Sequence, residues 1–129
     1  MSDRNPVKAA GAPAAIGPYS QAIEHAGIVY CSGQIGLDPT TQEMVEGGVE
    51  AEAHRALENL QAVLEEAGSS LSNALRLTVY LADMGDFQKV NAVYAEFFRE
   101  GAPPARAAIE VAALPKGARV EIDCIAVKG

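Results

Sequence analysis

The sequence holds only two cysteines and two histidines, has no tryptophan, and contains no apolar run approaching the roughly 18 to 20 residues of a membrane span. Cys31 and Cys124 lie far apart, each inside an apolar stretch and without Cys-x-x-Cys or Cys/His spacing, so both read as buried, reduced thiols. His25 and His54 stand beside neither a cysteine nor paired carboxylates, and no metal site is expected. The opening residues Met1 to Pro6 lack the apolar core of a signal peptide, so a soluble cytoplasmic protein with no membrane contact is expected. Positive charge is also scarce: 10 Lys and Arg stand against 17 Asp and Glu, a net charge of −7. Non-specific nucleic-acid binding draws on counterions released from phosphates and needs a surplus of basic residues. The basic residues here are scattered, with no run and no aromatic-plus-basic cluster, so no nucleic-acid partner is expected.

What is present fits one globular domain over residues 1–129, long enough to bury about two thirds of its unfolded surface. Residues 1–12 are small or polar with two breakers and read as a loose arm, order beginning near Pro13. Ile16-Gly17-Pro18-Tyr19 turns into an extended segment over 19–24, and Ala26-Gly27 links it to a β-branched run over 28–32 ending at Gly33, which together read as a hairpin. Residues 34–48 read as loop, with a short strand at Glu43 to Val45.

From Val49 to Ala67 the apolar residues recur at the spacing of one helical face, and Gly68 supplies the stop. Glu50, Glu52, Arg55, Glu58, Gln61 and Glu65 take the opposite, polar face. Leu75 to Leu81 alternates as a strand with Leu75, Leu77, Val79 and Leu81 on one side. A second helix spans Asp86 to Arg99, its stripe made of Phe87, Val90, Tyr94, Phe97 and Phe98, and Gly101-Ala102-Pro103-Pro104 ends it. Two short strands close the chain, Ala105 to Val111 and Ala118 to Val127, around the turn Leu114-Pro115-Lys116-Gly117. The order is hairpin, helix, strand, helix, hairpin, an α+β arrangement with two helices on one face of a sheet. The other face carries Ala, Ile and Tyr beside charged residues, a mixture that copies of the chain would bury against one another.

Arg106 stands out because a permanent cation in an otherwise small-residue strand needs a partner. Alternation groups Arg106, Ala108 and Glu110 on one face, and Arg119, Glu121 and Asp123 on one face of the last strand. If the apolar sets lie under the helices, the two polar sets share the far side and Arg106 and Glu121 are neighbours. A guanidinium grips a carboxylate bidentately, and a nearby carboxyl group shuttles protons or orients water, which suits a small carboxylic acid undergoing proton-coupled chemistry. A structural ion pair on a sheet face is the alternative. Asn91 falls on one helical face with Phe87, Tyr94 and Phe98, where an amide must find hydrogen bonds, whether to a ligand or to a neighbouring loop. Ser32 beside Gly33 at a strand end, and Tyr19 after Gly-Pro, are either cleft residues or ordinary turn and packing residues.

Ile16-Gly17-Pro18-Tyr19-Ser20-Gln21-Ala22, Cys31-Ser32-Gly33-Gln34-Ile35, Val90-Asn91-Ala92-Val93-Tyr94, Pro104-Ala105-Arg106, and Ile109-Glu110-Val111 through Leu114-Pro115-Lys116 with Val120-Glu121-Ile122 together resemble the RidA (YjgF) family. The resemblance runs from about Ala12 onward, and its most specific part is Pro-Ala-Arg. It implies a chorismate-mutase-like fold, a mixed β-sheet carrying two helices, and a homotrimer with clefts between subunits. It further implies hydrolysis of 2-imino acids or their enamine tautomers to 2-oxo acids and ammonia, with no cofactor. By resemblance Arg106 is the carboxylate clamp and Glu121 the acid that orients water or donates a proton. Tyr19, Ser32, Gly33, Asn91 and Ala108 line the cleft in the same way. Ala108 stands where many members carry cysteine, so a thiol has no part at that position and only its backbone could contribute. A non-catalytic 2-oxo acid-binding regulator and a ribonuclease or translation inhibitor are the rival readings.

Overall fold

The computed structural model describes residues 3–129; Met1 and Ser2 of the expected arm lie outside the described residues. The strands are β1 (Asn5–Val7), β2 (Ala22–His25), β3 (Ile28–Gln34), β4 (Ala74–Leu81), β5 (Ala105–Glu110) and β6 (Val120–Val127), and the helices are α1 (Gly48–Glu66) and α2 (Phe87–Phe97). One six-stranded sheet runs in the order β1-β2-β3-β6-β4-β5, antiparallel throughout except for the parallel pair β4–β5. Both helices pack on one face, where Leu57, Leu60, Val63 and Leu64 of α1 and Val90 of α2 close over Leu77, Val79, Leu81, Val120, Ile122 and Ala126. The α+β architecture expected from the helix and strand periodicities is therefore the one observed. No helix among the described residues is long and apolar enough to cross a membrane.

The closing hairpin is not formed. A parallel pair requires a crossover of a dozen or more residues, and the chain between β4 and β5 supplies it with α2. β6 then inserts between β3 and β4 rather than pairing with β5. Its alternate residues Val120, Ile122, Cys124 and Ala126 are all buried, so β6 gains most from a central position, whereas the alanine-rich β5 takes the edge. The turn at residues 114–117, with left-handed backbone at Lys116 (φ 56°) and Gly117 (φ 68°), redirects the chain across β4 instead of folding it back on β5.

That topology overturns the shared face of Arg106 and Glu121. Residues opposed across a ladder point to the same side of the sheet. Arg106 stands opposite Leu77 and Ala108 opposite Val79, both buried under the helices, so Arg106 and Ala108 belong to the helical face. Glu121 stands opposite Tyr80 and projects from the other face.

Three further expectations are corrected. The N-terminal segment is not loose, since β1 forms an edge strand on β2 and Val7, Ala9 and Ala12 are buried. The Gln21 side chain ties it down, accepting from the Ala9 amide and donating to the carbonyls of Ala9 (3.2 Å) and Pro13 (2.7 Å). Proline is tolerated on an edge strand, so Pro6 was a poor signal of disorder. Leu75 is 47% exposed because a register shift between Ala74 and Arg76 turns it off the core side. Glu52 is buried rather than solvated, its carboxylate accepting from the Arg119 amide (2.8 Å) and guanidinium (2.7 Å).

The long loop covers this side of α1. A Cβ at Gly36 would stand 2.7 Å from the Glu52 Cα, and Asn59 Nδ2 donates to the carbonyls of Ile35 (3.3 Å) and Leu37 (3.0 Å). Within the loop the expected short strand shrinks to a single bridge between Leu37 and Met44. Cys31 and Cys124 are free and buried, directly opposed across β3 and β6. Burial pushes the Cys124 thiol up to about 12, and Cys31 higher still.

Candidate active site

Arg106 is presented by β5 against α2. Its Nη1 donates to Asn91 Oδ1 at 2.7 Å, and its guanidinium carbon lies 4.8 Å from the Tyr94 ring centroid and 5.4 Å from that of Phe87. Positions 87, 91 and 94 share one face of α2, which is why an amide and two aromatic rings converge on the same cation. Among the described residues no carboxylate forms an ion pair with Arg106, so the scaffold pair considered for it is absent. Most of its guanidinium fork remains available to an incoming anion. Phe87 and Tyr94 were read only as packing residues; their i, i+7 relation, with Asn91 between them, was the available signal of a cation platform. Glu110, two places beyond Ala108, is spent on structure, its carboxylate accepting from the Met84 amide at 2.8 Å.

Glu121 borders a different space. A cavity of about 650 Å³ is lined by Tyr19, Ser32, Gly33, Lys116 and Glu121, with Ile16 and Leu37 among its apolar walls. β3 shifts register against β6 between Cys31 and Gln34, and Gly33 falls within that irregularity. A Cβ built at Gly33 would overlap the Glu121 carboxylate, so the missing side chain is what lets the acid lie across β3. Ser32 Oγ donates to the Ser20 carbonyl at 2.6 Å and holds the Tyr19 segment against the mouth of the cavity. Tyr19 is 52% exposed. Burial, and then the charge of Asp123, hold the Glu121 carboxyl above the usual carboxylate range, which favours its proton-bearing form. Lys116, which sequence reasoning passed over as a turn residue, contributes the cavity's cation from a left-handed backbone position.

The expected residues thus fall into two groups. Tyr19, Ser32, Gly33 and Glu121 meet at the cavity, while Asn91 and Arg106 meet on the helical face with Ala108 two places along the same strand. β4 separates β5 from β6, and Arg106 is offset from Glu121 by three ladder positions, so their backbones stand about 14 Å apart in the sheet. They also face opposite sides. No three-carbon molecule reaches both within one protomer.

A family model described as endoribonuclease L-PSP matches residues 9–128. The chain belongs to the RidA family. It is 57% identical to the protein DfrA of Myxococcus xanthus over 118 residues, covering 90% of this chain and 89% of that protein. It is 52% identical to the 2-iminobutanoate/2-iminopropanoate deaminase of Mus musculus over 126 residues, covering 98% of this chain and 93% of that one. The crystal structure of E. coli TdcF with bound serine superposes with a TM-score of 0.92 at 38% identity, covering 97% of this chain and 99% of that chain. The sheet order and two-helix layer described above are the fold of this RidA group.

Proposed function

We propose that this RidA protein hydrolyses short-lived 2-imino acids and their enamine tautomers, such as 2-aminoacrylate with 2-iminopropanoate, and 2-iminobutanoate, to 2-oxo acids and ammonia. The observation that carries the reading is the guanidinium of Arg106, oriented by Asn91 and backed by two aromatic rings, with no carboxylate ion-paired to it among the described residues. A mouse relative at 52% identity bears the name of such a deaminase, and the serine held by TdcF is a three-carbon amino acid of matching size.

In the mechanism, the substrate carboxylate lies on Arg106, which fixes the adjacent carbon. Protonation at the imine nitrogen, or at the terminal carbon of the enamine, gives an iminium whose carbon is electrophilic, and water held by Glu121 adds there and loses a proton to solvent to give a carbinolamine. The nitrogen takes a proton, the C–N bond breaks with its electron pair leaving as ammonia, and the hydroxyl oxygen gives up its proton to form the 2-oxo acid. The uncatalysed reaction is already facile, so positioning and modest acid–base help are sufficient. Because Arg106 and Glu121 face opposite sides of one sheet, the working site combines the Arg106 group of one copy with the Glu121 group of another. A closed homotrimer is the assembly that supplies such junctions, and the exposed Tyr30, Leu75 and Ile109 side chains offer it apolar surface to cover.

The test follows pyruvate formation from 2-aminoacrylate generated enzymatically. Arg106→Ala is expected to abolish the acceleration while leaving the circular dichroism spectrum and assembly unchanged, and full activity in that variant overturns the clamp. A protein that binds 2-oxo acids without turning over the imine is the regulator of the rival reading, and the same assay separates the two.

A further inference from the structure

On the far face of the sheet Glu121 has a carboxylate neighbour that the mechanism so far leaves idle. Asp123 follows two residues later on β6 and therefore projects to the same side. Tyr80, directly opposite Glu121 on β4, reaches diagonally and donates its hydroxyl to Asp123 Oδ2 at 2.9 Å. That bond pins the Asp123 charge beside Glu121. The Tyr80 phenol is itself shifted up by this bond, which marks it as the donor at neutral pH.

We propose that Asp123, clamped by Tyr80 on the same face of the sheet, is a positioning residue for imine hydrolysis: its negative charge, held beside a Glu121 carboxyl that is already half-buried, favours the acid form of Glu121 that delivers a proton to the departing ammonia. The inference rests on the deaminase reading above and assigns the proton step within it. Glu121 O–H gives its proton to the carbinolamine nitrogen, and the C–N bond breaks with its electron pair leaving on ammonia. The hydroxyl proton of the carbinolamine then passes to the Glu121 carboxylate. The acid ends the cycle as it began, and atoms and charge balance.

The other charged and titratable groups near Glu121 do not replace Asp123. Arg119, two residues before Glu121, is drawn off by Glu52. Arg76 lies farther along β4, past Thr78, and Lys116 rims the cavity; among the described residues neither is ion-paired with Glu121 or Asp123. Tyr19 and Ser32 bring hydroxyl groups to the opposite wall, and Gly33 contributes no side chain. Burial is the larger influence favouring the protonated form of Glu121, and among the described residues Asp123 supplies the charge that adds to it.

Asp123→Asn is the decisive variant, because the amide oxygen still accepts from Tyr80 while the charge is gone. Two quantities are read on the full-length protein: the NMR titration of the Glu121 side-chain carboxyl, and the pH profile of kcat/KM for imine hydrolysis. The expected result is a Glu121 titration about half a unit to one unit lower, with the alkaline limb of the profile moving down by the same amount. Activity above that limb then falls about three- to tenfold while activity below it is preserved, and Asp123→Glu restores both quantities. An unmoved Glu121 titration in Asp123→Asn overturns the role of Asp123, whatever the activity does. A titration that moves while the limb stays in place overturns Glu121 as the proton donor. Absence of turnover in the unmodified protein sinks the underlying deaminase reading, and it does so separately from the titration.

Discussion

Glu121 is a residue whose proposed role and whose cost to the fold have one origin. Its carboxyl is half-buried next to Asp123, so the folded state favours the protonated form. A carboxyl raised above its unfolded value of 4.5 binds more protons folded than unfolded between those two values, so its contribution to stability is lost as pH rises through that window. Glu121→Gln removes the titration: thermal melts are expected to show a flatter decline of Tm with rising pH than in the unmodified protein, at the expense of activity. Gly33 is the matching steric case. Gly33→Ala drives a methyl group into the space of the Glu121 carboxylate, and the expected outcome is a folded protein with imine hydrolysis reduced at least tenfold, checked by circular dichroism beside the pyruvate assay.

Among the elements, α1 does more than roof the sheet. Its buried polar residues Glu52 and Asn59 satisfy backbone donors and acceptors of the 34–38 loop and of the chain entering β6, the two segments that bring Gly33 and Glu121 together. Glu52→Ala leaves the Arg119 amide without its partner, with an expected loss of about 1–3 kcal/mol in urea denaturation. Glu52→Gln keeps an acceptor and is expected to lose less. The amphipathic spacing of α1 and α2 was legible residue by residue, and both helices lie within two residues of their expected ends. The interior role of Glu52 was not legible, because helical periodicity reports one buried stripe and is silent about a loop folding over its flank.

For the whole molecule, the decisive property is that Arg106 and Glu121, the two parts of the proposed site, point away from each other. If they join only between copies, two inactive variants repair each other. Arg106→Ala and Glu121→Gln, coexpressed in equal amounts, are expected to regain activity. In any closed ring with random incorporation about one junction in four pairs an intact Arg106 with an intact Glu121, so about a quarter of the unmodified activity returns. Mixed assemblies that stay inactive place both residues in one subunit's site or outside the chemistry.

The local code of the chain was enough to specify the helices, most strands and the family. Hydrophobic spacing reports which side of an element is buried, and Pro-Ala-Arg with Val-Glu-Ile marks the family. Tertiary structure alone decided that β6 runs between β3 and β4, and hence that Arg106 lies exposed beside α2 on the helical face while Glu121 projects from the opposite face of the sheet. Strand pairing is a long-range choice, made by how much apolar surface each strand can cover in each position, and alternation within one strand carries no record of its neighbour.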